Sequence, residues 1–132
     1  MSKFRLLPRA VTTITPQRVG FAGGGTDFPA FYRQHGGAVL SSAIDKYIYV
    51  TVKRHSSLFN ENYRLSYSKT EHVNSLDDIE NDIARECLRL VDVEPPLFIA
   101  TASDLPVSSG LGSSSSFAVG LLYALHTLDR KS

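Results

Sequence analysis

The segment richest in chemical possibility is Pro106-Val107-Ser108-Ser109-Gly110-Leu111-Gly112-Ser113-Ser114-Ser115-Ser116. It lies between an apolar run that reads as a strand and one that reads as a helix. Gly110 and Gly112 let the backbone approach a ligand closely and adopt left-handed angles. Free N–H groups at the start of the following helix, reinforced by its dipole, point into the loop. The serine hydroxyls can donate to phosphate oxygens or ligate magnesium. Together these features describe an anion trap. It is not a Walker A loop, which needs a lysine followed by serine or threonine, because no lysine occurs between Lys69 and Lys131. The three-glycine spacing of the dinucleotide fingerprint is absent too. The competing reading is a flexible Gly/Ser connector. Against it stands the placement of the serines at the mouth of a strongly apolar helix.

The elements that must position this loop are legible in outline. Ala10 to Thr15 reads as a strand, interrupted by Pro16 and resumed from Arg18 to Phe21. Gly23-Gly24-Gly25 breaks regular structure. Phe28 to Gln34 reads as a short helix opened by Asp27, with Pro29 in its first turn and Gly36-Gly37 at its end. Ala38 to Ile44 is apolar and reads as a buried strand, with Asp45 as a turn residue after it. In Tyr47 to Lys53, Ile48, Val50 and Val52 alternate with Tyr47, Tyr49, Thr51 and Lys53. Tyr63, Leu65 and Tyr67 alternate likewise, so these two runs are expected to be antiparallel neighbours. Ser75 to Val91 reads as one helix, capped by Ser75 with Asp78 at capping-box spacing, and with a stripe of Ile79, Ile83, Cys87 and Leu90. Leu97 to Ala102 is a strand. Ser113 to Leu128 is a helix with Phe117, Leu121, Leu125 and Leu128 on one face. This order predicts an α+β two-layer sandwich rather than a doubly wound sheet.

The chain has 132 residues, enough for one domain with a core of its own. Its net charge of +1, with basic residues spread along the chain, argues against nucleic acid as a partner. Cys87 is the single cysteine, so no disulfide framework exists and a reducing cytoplasm is expected. Met1 to Arg9 lacks the apolar run of a signal peptide, and no stretch approaches a membrane span. His35, His55, His72 and His126 lack metal-ligand spacing.

Pro106-x-x-x-Gly110-Leu111-Gly112-Ser113-Ser114 resembles the phosphate-binding motif of the superfamily of galactokinase, homoserine kinase, mevalonate kinase and phosphomevalonate kinase. Ser115 stands where many members have alanine. Pro16-Gln17-Arg18-Val19-Gly20-Phe21-Ala22-Gly23-Gly24-Gly25-Thr26-Asp27 resembles the superfamily's first, substrate-side motif. Its triple glycine followed by Thr26-Asp27 looks like the bacterial D-glycero-D-manno-heptose 7-phosphate kinases, and fucose kinases have a related segment. Ser42 to Ile48, Arg64 to Ser68 and Ser113 to Gly120 look like the heptose kinases as well.

The resemblance implies the superfamily's α+β fold, which a small-ribosomal-subunit protein shares, over residues 1–132 as an N-terminal ATP-binding domain. It implies phosphoryl transfer from ATP, with magnesium, to a sugar hydroxyl, at best the anomeric hydroxyl of a heptose 7-phosphate. The ATP phosphates would lie over Pro106, Ser109, Gly110, Leu111, Gly112, Ser113, Ser114 and Ser115, with Ser114 as the magnesium contact. Gly23, Gly24 and Gly25 would let the sugar lie close to the backbone. Asp27 would accept bonds from its hydroxyls, with Thr26 helping to position them. Arg18 would offset charge on the transferred group. Two plainer readings stay open: Asp27 as a helix cap and Arg18 as a surface ion-pair residue. A non-catalytic phosphate-binding module is the other functional class. The superfamily's later aspartate and C-terminal glycine-rich motif are not in this chain. Turnover by these residues alone is therefore not expected, and the chain reads as truncated. It is expected to expose apolar sheet surface that favours instability, swapping or a homo-oligomer.

Overall fold

The computed structural model of the protein describes residues 8–106 and 109–129. Val107 and Ser108 of the glycine-serine segment, the first seven residues and the tail from Arg130 to Ser132 lie outside the described residues. One mixed sheet carries the fold. Its strands are β1 (Ala10–Ala22), β2 (Leu40–Arg54), β3 (Tyr63–Ser66), β4 (Thr70–Val73) and β5 (Leu97–Ser103), in the spatial order β1-β2-β5-β3-β4. β2 runs antiparallel to both β1 and β5, β3 runs parallel to β5, and β4 closes the sheet antiparallel to β3. Helices α2 (Asp82–Val91) and α3 (Ser113–Asp129) form the second layer, with α3 packed on β1 and β2 and α2 packed on α3. The expected α+β sandwich is the observed fold.

The alternation in β2 does what its period of two demands. Ile48, Val50 and Val52 are buried against the helices, and β5 adds Leu97 and Ile99 to the same face. Helix α3 answers with Phe117, Leu121, Ala124, Leu125 and Leu128. Burying each large aliphatic side chain there stabilises the layer pair by about 1.5–3 kcal/mol. The helix also approaches the sheet closely at Gly120, whose carbonyl accepts the Thr13 hydroxyl at 2.9 Å. The far end of α3 is held by Arg54, which donates to Asp129 and to the Glu94 carbonyl.

Several expectations are corrected. Pro16 does not interrupt β1; the strand runs through it and the irregularity follows at Gln17, where Ile44, Asp45 and Lys46 of β2 all stand between the pairs Pro16–Tyr47 and Arg18–Ala43. Asp45 is therefore inside β2 rather than in a turn, and its carboxylate bonds the Tyr47 hydroxyl, which raises that phenol's pKa. The apolar run from Ala38 is largely exposed, because β2 projects beyond the helical layer there. The β2 and β3 strands are not neighbours, since β5 inserts between them. Alternation along a strand specifies its faces and says little about which strand lies beside it. The expected helix from Ser75 to Val91 is two pieces. Ser75 caps a 3-10 turn at Leu76–Asp78, and Asn81 caps α2 by accepting the Ala84 N–H at 3.0 Å. The buried face of α2 is Ala84, Cys87, Leu88 and Val91, while Leu90 is 75% exposed. The break shifts the helical phase and takes Leu90 off the stripe. No helix among the described residues is long and apolar enough to cross a membrane.

Candidate functional site

Two segments far apart in sequence meet where β1 passes the start of α3. The Arg18 N–H donates to the Leu111 carbonyl at 2.9 Å. The Ser116 hydroxyl donates to the Pro16 carbonyl at 2.9 Å, and the Gln17 amide donates to the Ser113 hydroxyl oxygen at 2.8 Å. These bonds lace the strand to the first turn of α3. Gly110 and Gly112 both have positive φ, 73° and 77°, as an anion loop of this kind requires. At Gly112 a methyl group would also lie 2.8 Å from Arg18 Cγ, so the arginine stem lies directly against the loop. Arg18 is exposed and forms no ion pair among the described residues, which leaves its guanidinium available at the loop.

Ser113 and Ser114 line a cleft of about 500 Å³ together with Pro106. Its apolar wall includes Ile48, Ile83, Leu105 and Phe117; its polar rim includes Tyr67, Ser68, Asn81 and Thr101. The volume and the mixed lining suit a nucleoside-sized ligand. Sequence reading missed the group that shapes this rim. Glu71, 5% exposed on β4, accepts the Tyr67 hydroxyl at 2.7 Å and the N–H groups of Glu80 and Asn81 at 2.7 and 3.3 Å. Burial, then the Glu71 carboxylate, pushes the Tyr67 phenol up to about 12, so it stays protonated and donating. Nothing in the sequence around Glu71 marks it as more than a strand residue. Ser109, Gly110, Ser114 and Ser115 are exposed on the loop and first turn, and Leu111 is half-buried.

The glycine-rich end of β1 builds a second, smaller cleft of about 320 Å³ lined by Thr26, Asp27, Tyr32, Gly37, Ala38 and Val39. Gly23 has φ of 90°, and a Cβ there would meet the Ala38 carbonyl oxygen at 1.9 Å, so the crossing of these two backbones requires glycine. The Thr26 hydroxyl clasps the crossing, donating to Gly23 O at 2.7 Å and accepting the Ala38 N–H at 3.2 Å. Gly24 and Gly25 differ: neither has positive φ, and a Cβ on either would meet nothing within 4 Å. Asp27 does not cap the short helix α1 (Pro29–His35); its N-cap is Phe28, with no side-chain bond. The carboxylate of Asp27 is exposed at the cleft. The two clefts share no lining residue, and Arg18 lines neither of them. Among the described residues no group of three or more His, Cys, Asp or Glu is arranged to hold a metal ion. Hard oxygen donors at the loop include the hydroxyls of Ser109, Ser113, Ser114 and Ser115, a donor type that fits magnesium.

Residues 80–131 match the family model of the GHMP kinases N terminal domain. The sheet and helices match the fold of that domain. It is 34% identical over 125 residues to a D-glycero-alpha-D-manno-heptose 7-phosphate kinase of Campylobacter jejuni subsp. jejuni serotype O:2, over 88% of this chain and 37% of that protein. It is similar to the crystal structure of a D-glycero-D-manno-heptose 1-phosphate kinase from Bacteriodes thetaiotaomicron, with TM-score 0.71 and 28% identity over 87% of this chain and 40% of that one. The fold alone is shared with the mevalonate kinase of Methanococcus jannaschii, at TM-score 0.68 and 22% identity over 95% of this chain and 43% of that one. The chain thus spans less than half the length of these relatives.

Proposed function

We propose that this domain grips the polyphosphate of ATP in the Gly110–Ser115 loop and a sugar phosphate at the Gly23–Asp27 segment, and serves transfer of the terminal phosphoryl group to a sugar hydroxyl. The acceptor is the anomeric hydroxyl of D-glycero-D-manno-heptose 7-phosphate. The observation that carries this reading is the lacing of β1 to the loop, with Arg18 lying against Gly112. A cation against the phosphate loop, on the strand that leads into the glycine-rich segment, suits the transfer of a negatively charged group. The nucleoside occupies the larger cleft, beside Ser113 and Ser114. Gly24 and Gly25 support the acceptor site, because nothing within the fold demands glycine there; their open faces let a sugar approach the backbone. Asp27 accepts bonds from the sugar hydroxyls, and Thr26 keeps the segment in shape for it. In the transfer, the acceptor hydroxyl oxygen bonds to the γ-phosphorus and gives up its proton to solvent, while the bond to the bridging oxygen breaks and ADP leaves. Magnesium, held with the help of the Ser114 hydroxyl, supplies charge neutralisation to the phosphates when bound. The transfer is proposed for a protein of the relatives' length, of which these residues form the phosphate and acceptor walls. The lone buried thiol Cys87 suits a reducing cytoplasm.

The test is an acceptor panel of heptose 7-phosphate, fucose, mevalonate and homoserine with the longer protein, ATP and magnesium. Turnover on the heptose phosphate is expected. Turnover confined to mevalonate or homoserine would overturn the sugar assignment.

A further inference from the structure

Gln17 has 0% exposure on β1, at the start of α3. Its Nε2 donates to Ser113 Oγ at 2.8 Å, while its Oε1 has no hydrogen-bond partner among the described residues. Turning the amide over does not repair this: Oε1 would then accept the Ser113 hydroxyl, and Nε2 would be left unpaired. An unpaired buried amide atom is a standing cost to folding. The sheet is also irregular around it, with three residues of β2 facing the single position 17. Methionine would fill the same space without the cost. A destabilising polar group beside a ligand loop is explained by what it does for the loop.

We propose that Gln17 is a positioning residue that orients the Ser113 hydroxyl toward the ATP polyphosphate, an inference that rests on the loop being the phosphate site. A serine hydroxyl is a rotor with one proton and two lone pairs. The Gln17 N–H occupies one lone pair from the β1 side. The hydroxyl proton is thereby turned away from β1, into the cleft that Ser113 lines, where it donates to a phosphate oxygen. The opposite amide orientation would consume that proton and present only lone pairs to the ligand, as a metal contact requires. The strand that carries Arg18 and the loop that holds the phosphates are thus coupled through one side-chain bond as well as through backbone.

The experiment compares wild type, Gln17→Met, Ser113→Ala and the double variant by calorimetric titration with ATP, with and without magnesium, and by thermal unfolding. Gln17→Met is expected to raise Tm and yet weaken ATP binding roughly three- to tenfold, the size of one hydrogen bond. Ser113→Ala is expected to weaken it similarly, and the double variant to be no worse than the weaker single one, because both remove the same oriented donor. A packing role would instead move stability and affinity in the same direction. Wild-type affinity in Gln17→Met, or losses that add in the double variant, overturns the proposal. An effect seen only with magnesium overturns the donor assignment. Gln17→Leu repeats the test if the methionine variant does not fold. If wild type itself binds no ATP, the phosphate reading falls, and that result is distinct from a Gln17 failure in a protein that binds.

Discussion

Replacing Gly112 with alanine should separate the shape of the loop from its charge. The residue has φ of 77°, where a Cβ costs about 1–2 kcal/mol. The same Cβ would stand 2.8 Å from Arg18 Cγ, 3.3 Å from Nε and 3.6 Å from Cδ. Arg18 cannot retreat as a whole, because its N–H is bonded to Leu111 O. Only rotation of the side chain relieves the overlap, and overpacking of this kind costs about 1–3 kcal/mol. Together the two effects remove about 2–5 kcal/mol, against about 5–15 kcal/mol for a domain of ordinary stability. The rotated guanidinium no longer faces the phosphates, and losing one charged hydrogen bond of about 1.5–3 kcal/mol weakens ATP binding by roughly 10- to 150-fold. Gly110→Ala is the control: its φ is 73° but a Cβ there meets nothing within 4 Å, so only the backbone cost remains. Urea unfolding followed by circular dichroism, with calorimetric ATP titration, reads both quantities. Removing the arginine stem should relieve the overlap, so Gly112→Ala and Arg18→Ala should couple by about 1 kcal/mol or more, while Gly110→Ala and Arg18→Ala should add within about 0.5 kcal/mol. Simple additivity for the Gly112 pair would refute the proposed contact.

Asp27→Asn is expected to weaken sugar phosphate binding and leave ATP affinity unchanged, as read by titration with each ligand separately; an unchanged acceptor affinity would remove Asp27 from the acceptor site. Gly120→Ala should destabilise the domain by about 1–3 kcal/mol in urea, because its Cβ would press on Thr15 Oγ1 at 2.8 Å, Thr13 Oγ1 at 3.0 Å and Val50 Cγ2 at 3.3 Å. Glu61 has its pKa lowered, first by a backbone hydrogen bond and then by the imidazoles of His55 and His72, which stand 3.3 and 3.1 Å from its Oε1. A depressed carboxyl pKa stabilises the fold above the ordinary carboxylate range and loses that contribution as pH falls through the folded value. The stability gap between wild type and Glu61→Gln should therefore be constant near neutrality and shrink in acid; a gap that widens in acid would contradict the assignment.

The sequence was most informative where chemistry and local geometry coincide. Gly110, Gly112 and the serines ahead of an apolar helix announced a loop with left-handed turns, and the loop has them. The alternation of Ile48, Val50 and Val52 announced a half-buried strand. Topology was less accessible. The pattern of Tyr63 to Tyr67 is the same whether β3 pairs with β2 or, as observed, with β5, because face and neighbour are independent properties of a strand. The break between Leu76–Asp78 and α2 was hidden because Ser75 and Asn81 are both good caps, and only tertiary packing decides which one starts the helix. Gln17 and Glu71 could not be singled out at all. Their importance lies in burial and in partners distant along the chain, Ser113 for one and Asn81 for the other.

The central claim, that the loop from Gly110 to Ser115 binds the ATP phosphates, is tested most directly by titrating the folded protein with ATP, with and without magnesium, beside Gly112→Val and Ser114→Ala. The account predicts one saturable site in wild type. It predicts no binding by Gly112→Val with the circular dichroism spectrum retained, and a loss in Ser114→Ala that is larger with magnesium than without it. Equal ATP affinity in wild type and a folded Gly112→Val protein would contradict it.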